Sequence, residues 1–209
     1  MNKTVTLVNE WGKFEARHPH ASLEDFCRHY LAHQDQQKLK GRLVGGVVPY
    51  LTDGLLLKII GRIHKLNLYY ANAALKETEV NHLEEFGMLT YIKQEKNPRK
   101  TEVIYANLFE LSSGTDMLNR MKKKGLIEEH DDREDKRSKR LTLTAKGERL
   151  MDQCKQQIIK NATMVLHDMN EDDKALCIQL LQDVEVKFSA LWQKYRGASF
   201  ETVYKEVMG

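Results

Sequence analysis

The sequence has little proline, little glycine and no long uncharged run. Its 209 residues include 3 Pro and 12 Gly, which is few for a chain built mainly of β-strands or of low-complexity sequence. Uncharged runs such as 43–52 and 66–75 are far shorter than the roughly 20 apolar residues of a spanning helix. The first 20 residues contain no apolar segment of the kind found in secretory signals. These absences favour a mainly helical, cytoplasmic protein.

Cysteine is also scarce, and the cysteines follow no ligand or disulfide pattern. Cys27, Cys154 and Cys177 are an odd number, lie far apart and form no CxxC motif. Reduced thiols in a cytosol are the favoured interpretation. There is no glycine-rich phosphate loop, no Ser/His/Asp set and no pair of carboxylates at a catalytic spacing. We therefore expect no enzymatic activity, no cofactor and no bound metal.

The pattern divides the chain into three parts. Residues 1–54 form an N-terminal extension, with one helix beginning after the N-cap Ser22 and a glycine-rich linker at 41–49. Residues 55–195 are expected to form the main domain. Residues 196–209 are a C-terminal tail.

The main domain opens with two predicted helices. The first runs from Leu55 to about Lys76, because apolar residues recur there at helical spacing. A second begins at 81–84, which has the spacing of a capping box, and ends near Pro98.

Two shorter helices follow, joined by a tight turn. Thr101 is a candidate cap for a helix that continues to Phe109. Ser112 and Ser113 are candidate caps for the next helix, which ends near Lys124 with Gly125 behind it. This arrangement predicts a helix-turn-helix.

After Gly125 the period of the pattern changes from helical spacing to alternation. Residues 126–131 and 139–144 are predicted to be strands that flank the polar loop 132–138. A hairpin directly behind a helix-turn-helix is a wing. Two long helices, at 145–167 and from Asn170 to about 195, complete the prediction. The expected fold class is mainly α with a small β-hairpin wing, a winged helix-turn-helix with long N- and C-terminal dimerisation helices.

The second helix of the pair has the composition of a DNA recognition helix. Its apolar residues share one face, which leaves hydroxyl, amide and cationic groups on the other. Such groups bond to base edges or phosphates in the major groove. The predicted contacts are Ser112, Ser113, Thr115, Asn119, Arg120 and Lys123. Asp116 also points outward.

The loop of the wing concentrates positive charge. Residues 133–140 contain five cations and two anions, a net +3, which equals the formal net charge of the whole chain. Residues 161–209 contain five cations and eight anions, a net −3. A cationic wing tip beside a recognition helix is typical of duplex binding. The predicted wing contacts are Arg133, Lys136, Arg137, Lys139 and Arg140.

The stretch from Asp132 to Gly147 resembles the wing signature of the MarR (multiple antibiotic resistance regulator) family, D-x-x-D-x-R followed by L-T-x-x-G. Residues 118–127 and 85–89 are similar to the family's recognition helix and to its second helix, respectively. The resemblance covers about residues 55–195. It implies a winged-helix homodimer whose terminal helices interlock and whose two lobes read a pseudo-palindromic operator in double-stranded DNA.

The resemblance also implies roles for individual residues. Arg137 corresponds to the arginine that enters the minor groove. Asp135 is implied to hold the turn of the wing and to orient the Arg137 side chain, and Asp132 to begin the turn. Thr115 matches a threonine of the family's recognition helix. Asp116 departs from the family pattern, because family members often have a cation or a neutral polar residue at this position. An aspartate accepts from cytosine N4 but repels phosphate.

The sequence and the resemblance together predict a sequence-specific transcription regulator, a dimeric repressor that a small molecule or a stress signal releases. His64, Tyr69 and Tyr70 are candidates for an effector pocket, although a tyrosine pair on an apolar stripe is also typical of a dimer core. The alternatives are a winged-helix module that binds a protein partner and an architectural module that binds DNA without sequence preference.

Two weaker signals lie in the N-terminal extension. His29 and His33 have the i, i+4 spacing of metal ligands, but without a third ligand in register they are better explained as surface histidines. Cys27 resembles the redox-sensing cysteines of some MarR relatives, but only Arg28 beside it argues for a lowered pKa.

Overall fold

The computed structural model describes residues 2–34 and 52–209. The chain falls into two compact units, one within residues 1–50 and the other within residues 51–209. The predicted glycine-rich linker at 41–49 lies outside the described residues.

The first unit contains two helices, α1 (Lys3–Glu15) and α2 (Leu23–Gln34). Ser22 caps α2 as predicted, since the Asp25 amide donates to Ser22 Oγ at 3.1 Å while the Asp25 carboxylate accepts from the Ser22 amide at 2.8 Å. Helix α1 lies in the N-terminal extension, at a position where no helix was predicted. It packs on α2 through Phe14 and Phe26, which are both buried, with ring centroids 5.6 Å apart.

The second unit begins with a long helix, continues through three helices and a hairpin, and ends in three helices. In chain order, its elements are α3 (Thr52–Leu75), α4 (Leu83–Glu95), α5 (Lys100–Ala106), α6 (Leu111–Lys123), β1 (Ile127–Asp131), β2 (Lys139–Leu143), α7 (Ala145–Val165), α8 (Glu171–Tyr195) and α9 (Phe200–Met208). The predicted fold class, a mainly helical winged helix-turn-helix with a small hairpin and long terminal helices, is confirmed. The tail beyond residue 195, for which no structure was predicted, contains α9.

The boundaries of α5 and α6 differ from the prediction. Helix α5 ends at Ala106 rather than Phe109, because Leu108 adopts a φ of 59° in the turn. Thr101 is not its cap, since the N-cap of α5 is Arg99, two residues earlier. Helix α6 begins at Leu111 with Glu110 as N-cap, and Ser112 and Ser113 therefore lie in its first turn.

Helix α4 also begins one residue later than the capping box predicted at 81–84 implies. Its N-cap is His82, which provides no side-chain cap. The Asn81 amide instead donates to Glu85 Oε2 at 3.4 Å. Two other capping predictions are confirmed: Asn170 caps α8, and Gly125, with a φ of 69°, follows the end of α6.

The hairpin is antiparallel, with Glu129 opposite Leu141 and His130 opposite Arg140. Because side chains alternate across a strand, Ile127, Glu129 and Leu141 face the helices while His130 faces away. Apolar side chains from the hairpin, α3, α4, α5, α6 and α7 form one core. Its largest fully buried members include Leu75, Met88, Ile92, Ile104, Leu118 and Leu141.

Helix α8 differs from the others in its burial. None of its 25 residues is buried, although it carries several large apolar side chains. Every helix within the described residues is too short or too polar to cross a bilayer.

Candidate nucleic-acid interface

Helix α6 presents one apolar and one polar face. Gly114, Met117, Leu118 and Met121 are buried, as their spacing predicts. Gly114 allows α5 to approach closely, since a Cβ there would lie 2.5 Å from Ile104 Cγ2. The opposite face is open to solvent. Ser112, Ser113, Asp116, Asn119, Arg120 and Lys123 are exposed, and Thr115 is half-buried.

Three side chains, two on the exposed face of α6 and one at its C-cap, contact residues that were not predicted to belong to the site. Arg120 Nε lies 3.9 Å from Oε1 of Glu85, a buried carboxylate of α4. Lys124 Nζ, at the end of α6, lies 3.2 Å from Glu85 Oε2. Asn119 Oδ1 lies 3.5 Å from Nζ of Lys100 in α5. These contacts join α6 and its C-cap to α4 and α5.

The wing separates its predicted cations into two groups. Arg133, Lys136 and Arg137 lie in the loop and are exposed, and no described residue pairs with their side chains. Lys139 forms an ion pair with Asp131 across the hairpin. Arg140 is half-buried at the base of the wing. The freely exposed positive charge therefore lies at the tip.

Asp132 anchors the wing and is 2% exposed. Its Oδ1 accepts from the amides of Glu134 at 2.9 Å and Asp135 at 3.4 Å, which forms the turn. Its Oδ2 accepts from Nε of Arg99 at 3.0 Å and Nε of Arg140 at 2.9 Å. The amide of Glu134, helped by the two guanidinium groups, lowers the pKa of Asp132 to about 2.

Arg99 and Arg140 connect the wing to the helices. The two residues form a β-bridge, and Arg140 Nη1 also donates to the carbonyl of Asn97 at 2.8 Å. Arg99 is the N-cap of α5. Asp132 lies at the start of the loop, the position for which the family resemblance implies a structural role. Its contact with Arg99 has no sequence signal, because 33 residues separate the pair.

Asp135 closes the other end of the turn. Its Oδ1 accepts from the backbone amide of Arg137 at 3.0 Å, and its Oδ2 accepts from Ser138 Oγ at 2.8 Å. Asp135 therefore holds the backbone that carries Arg137 rather than its guanidinium. These hydrogen bonds lower the pKa of the Asp135 carboxyl, the bond from Ser138 contributing most.

Replacing Asp132 by Asn should loosen the wing. The asparagine amide has no negative charge to pair with the two guanidinium groups, and its N–H group would face other donors. We therefore expect the melting temperature at pH 7 to fall by about 5 °C. Because the folded pKa lies below the ordinary value of 3.8, ionised Asp132 stabilises fully above about pH 4. That stabilisation is lost as the pH falls through about 2, and the difference between variant and parent should shrink accordingly.

Thermal unfolding followed by circular dichroism at pH 7, 4 and 2.5 measures this effect. Asp131→Asn is the matched control, since Asp131 is the neighbouring carboxylate and is 72% exposed in its pair with Lys139. Exposed pairs contribute little to stability. Equal changes in the two variants would contradict the anchoring role of Asp132.

The candidate effector residues lie along α3. His64, Tyr69 and Tyr70 are all exposed, and the two tyrosine rings pack edge to face with centroids 5.2 Å apart. Their proposed role as a pocket stays a prediction.

The histidines of the N-terminal unit pack on one another. The rings of His29 and His33 stack with centroids 4.1 Å apart, and His33 Nδ1 lies 2.8 Å from the His29 carbonyl. Burial and the neighbouring histidines lower the pKa of His29. No cluster of three or more possible metal ligands occurs within residues 2–34 and 52–209. The three cysteines are free, with Cys27 and Cys177 exposed and Cys154 buried.

Comparison with known proteins agrees with this geometry. A family model described as winged helix-turn-helix matches residues 85–162, which extend from α4 into α7. No curated protein sequence matches the chain.

Solved structures of MarR-family regulators are similar to the chain. A mutant MarR from E. coli in complex with operator DNA is 23% identical with a TM-score of 0.58, and the match covers 62% of this chain and 93% of that one. PcaV from Streptomyces coelicolor with its natural ligand is 19% identical with a TM-score of 0.54, covering 68% and 97%. A MarR-family regulator from Rhodococcus is 16% identical with a TM-score of 0.59, covering 65% and 96%.

The chain therefore contains a winged helix-turn-helix. Its second unit has the fold of the MarR structures, in agreement with the resemblance found in the sequence.

Proposed function

We propose that this protein is a cytoplasmic, sequence-specific DNA-binding transcription regulator of the MarR family. The observation that carries the proposal is the pairing of two exposed surfaces in one unit. These are the polar face of α6 and the cationic tip formed by Arg133, Lys136 and Arg137. Both surfaces leave donor groups free for an anionic partner, and a helix followed by a hairpin suits a duplex with two grooves.

In this proposal each surface takes one groove. Helix α6 enters the major groove, where Asn119 and the hydroxyls of its first turn reach base edges. Arg137 enters the narrow minor groove, whose negative potential attracts a guanidinium. Asp116 lies on the same exposed face and has no partner among the described residues. A carboxylate there accepts from cytosine N4 and repels phosphate, so it restricts how closely α6 approaches the backbone.

The regulator acts as a homodimer in this proposal. The apolar side chains that α3 and α8 expose are the surface that a second copy covers. Two-fold symmetry then places the recognition helices about 34–36 Å apart, one turn of DNA, and requires a pseudo-palindromic operator.

An effector that favours a different separation of the two lobes releases the operator, which makes the protein a repressor that a small molecule or a stress signal controls. The similarity to PcaV with its natural ligand and to MarR with operator DNA supports this view. His64, Tyr69 and Tyr70 are the residues that we propose for effector binding.

Arg137→Ala tests the DNA interface at the wing. We expect affinity to fall on the order of tenfold for operator and random DNA alike. Each protomer loses the positive charge that Arg137 places against the DNA, so the slope of log affinity against log salt should become shallower by about two units per dimer. Fluorescence anisotropy with genomic fragments at several salt concentrations measures both quantities.

Arg28→Ala is the matched control for this experiment. Arg28 is an exposed arginine of α2, outside the winged unit, so its loss changes the net charge equally. An unchanged salt slope in Arg137→Ala, or the same change in the control, would contradict the wing assignment. Failure of the unmodified protein to bind DNA at moderate salt would overturn the proposed function in favour of a protein partner.

A further inference from the structure

Lys100, the first residue of α5, lies where three elements of the proposed interface meet. Its Nζ is 3.5 Å from Asn119 Oδ1 on the exposed face of α6 and 3.4 Å from Glu129 Oε1 on β1. The side chain is only 21% exposed. The Lys100 ammonium group therefore contacts the Glu129 carboxylate of the hairpin on one side and Asn119 of α6 on the other.

Glu129 gives this arrangement its stability. The side chain lies on the face of the hairpin that packs against the helices and is 15% exposed. Its second oxygen, Oε2, accepts from Lys122 Nζ of α6 at 2.5 Å. The hydrogen bond from Lys122 and the charge of Lys100 lower the pKa of Glu129, so it is ionised at neutral pH. One carboxylate thus ties α5 and α6 to the wing strand.

The contact also determines which way the Asn119 amide is turned. A lysine ammonium has three N–H donors and no acceptor. The atom of Asn119 that faces it must therefore be the carbonyl oxygen. The Nδ2 amino group is then turned away from Lys100, and the Asn119 residue is exposed. The orientation follows from the chemistry of the pair and not from the assignment of oxygen and nitrogen in the amide.

We propose that Lys100 is a positioning residue that sets the base preference of Asn119, by engaging its oxygen and presenting its amino group to the major groove. This inference rests on the proposed function. Guanine offers two acceptors, N7 and O6, to such a donor. The usual pairing of asparagine with adenine also needs the amide oxygen as acceptor for N6–H, and Lys100 competes for that oxygen. Asn119 in this protein should therefore favour guanine over adenine.

Binding-site selection from a random DNA library tests the proposal. The position that Asn119 reads is first identified as the base pair whose preference Asn119→Ala relaxes. Lys100→Met keeps a long unbranched side chain but removes the donor. We expect the ratio of guanine to adenine at that one position to fall on the order of tenfold in Lys100→Met, with other positions unchanged. Lys100→Arg, which keeps a cationic donor, should retain the original preference.

Lys136→Met is the matched control, since it removes one exposed lysine charge from the wing tip, and Lys136 makes no contact with Asn119 within the described residues. It should weaken binding without changing any base preference. An unchanged preference in Lys100→Met, or a loss spread evenly over all positions, would overturn the positioning role. If Lys100→Met does not fold, Glu129→Gln, which weakens the hold on Lys100, must produce the same shift for the proposal to stand.

Failure of the proposed function looks different from failure of this inference. If the unmodified protein enriches no consensus, sequence-specific binding itself is wrong. If it enriches a consensus that Asn119→Ala leaves unchanged, Asn119 reads no base and only the role of Lys100 is refuted.

Discussion

A chain that carries both Leu181→Asp and Val184→Asp is expected to be monomeric and to bind operator DNA about a hundredfold more weakly than the unmodified protein. Leu181, Val184 and Phe188 lie on one side of α8 at helical spacing and are 37%, 51% and 50% exposed, respectively. A helix that exposes such a stripe and buries none of its residues in its own chain needs a partner surface.

The expected loss of affinity follows from the two-fold arrangement. A dimer engages two half-sites at once, so the second contact forms at a high effective concentration. Two buried carboxylates in the proposed interface oppose association, because neither would have a partner. A monomer still has an intact winged helix and retains weak, salt-dependent binding to a single half-site.

Gln179→Asp with Gln182→Asp is the matched control. Both glutamines are exposed on another side of α8, so the control adds the same number of carboxylates to the same helix. Sedimentation velocity measures the oligomeric state, and anisotropy measures operator affinity. A Leu181/Val184 variant that remains dimeric, or a control that dissociates equally, would place the interface elsewhere.

Gly147→Ala is expected to have the largest effect on stability. Gly147 is buried in the first turn of α7, and a Cβ there would lie 2.1 Å from the backbone carbonyl oxygen of Leu126. Thr144 fixes this approach, since its Oγ1 accepts from the Gly147 amide at 2.9 Å and its own amide donates to the Leu126 carbonyl at 3.1 Å. The backbone must move, at a cost of about 3 kcal/mol.

Thermal unfolding should show this cost as a fall in melting temperature of roughly 10 °C. Gly12→Ala is the control. Gly12 is also a helical glycine, in α1, but a Cβ there meets nothing within 4 Å. It should leave the stability of the winged unit unchanged. A Gly147→Ala protein that melts like its parent would contradict the close packing of α7 on the Leu126 backbone.

Local patterns correctly predicted several features in which a residue's partners lie nearby in the chain. The buried face of α6 follows from helical spacing, and the caps Ser22 and Asn170 follow from their own short-range hydrogen bonds. Predictions of boundaries were weaker. Helix α5 ends early because Leu108 adopts a positive φ, which the identity of a leucine does not indicate.

The sequence by itself determined the mainly helical class, the helix-turn-helix followed by a wing, and the concentration of positive charge in the wing loop. All three depend on periodicity, on turn residues and on charges that are close together in the chain. The tertiary structure decided which of those charges are free. It pairs Arg140 with buried Asp132 and Lys139 with Asp131, and leaves the cations of the tip exposed.

The tertiary structure also identified Arg99, Lys100 and Glu129, which no motif selects. Lys100 and Glu129 are 29 residues apart, and Arg99 and Asp132 are 33 apart. Helical and strand periodicities carry no information across such separations, and the contacts arise only when the hairpin folds back onto α5. The positive charge of the wing is thus unevenly distributed. The cations at the tip stay exposed, whereas Lys139 and Arg140 in the hairpin strand are paired with carboxylates.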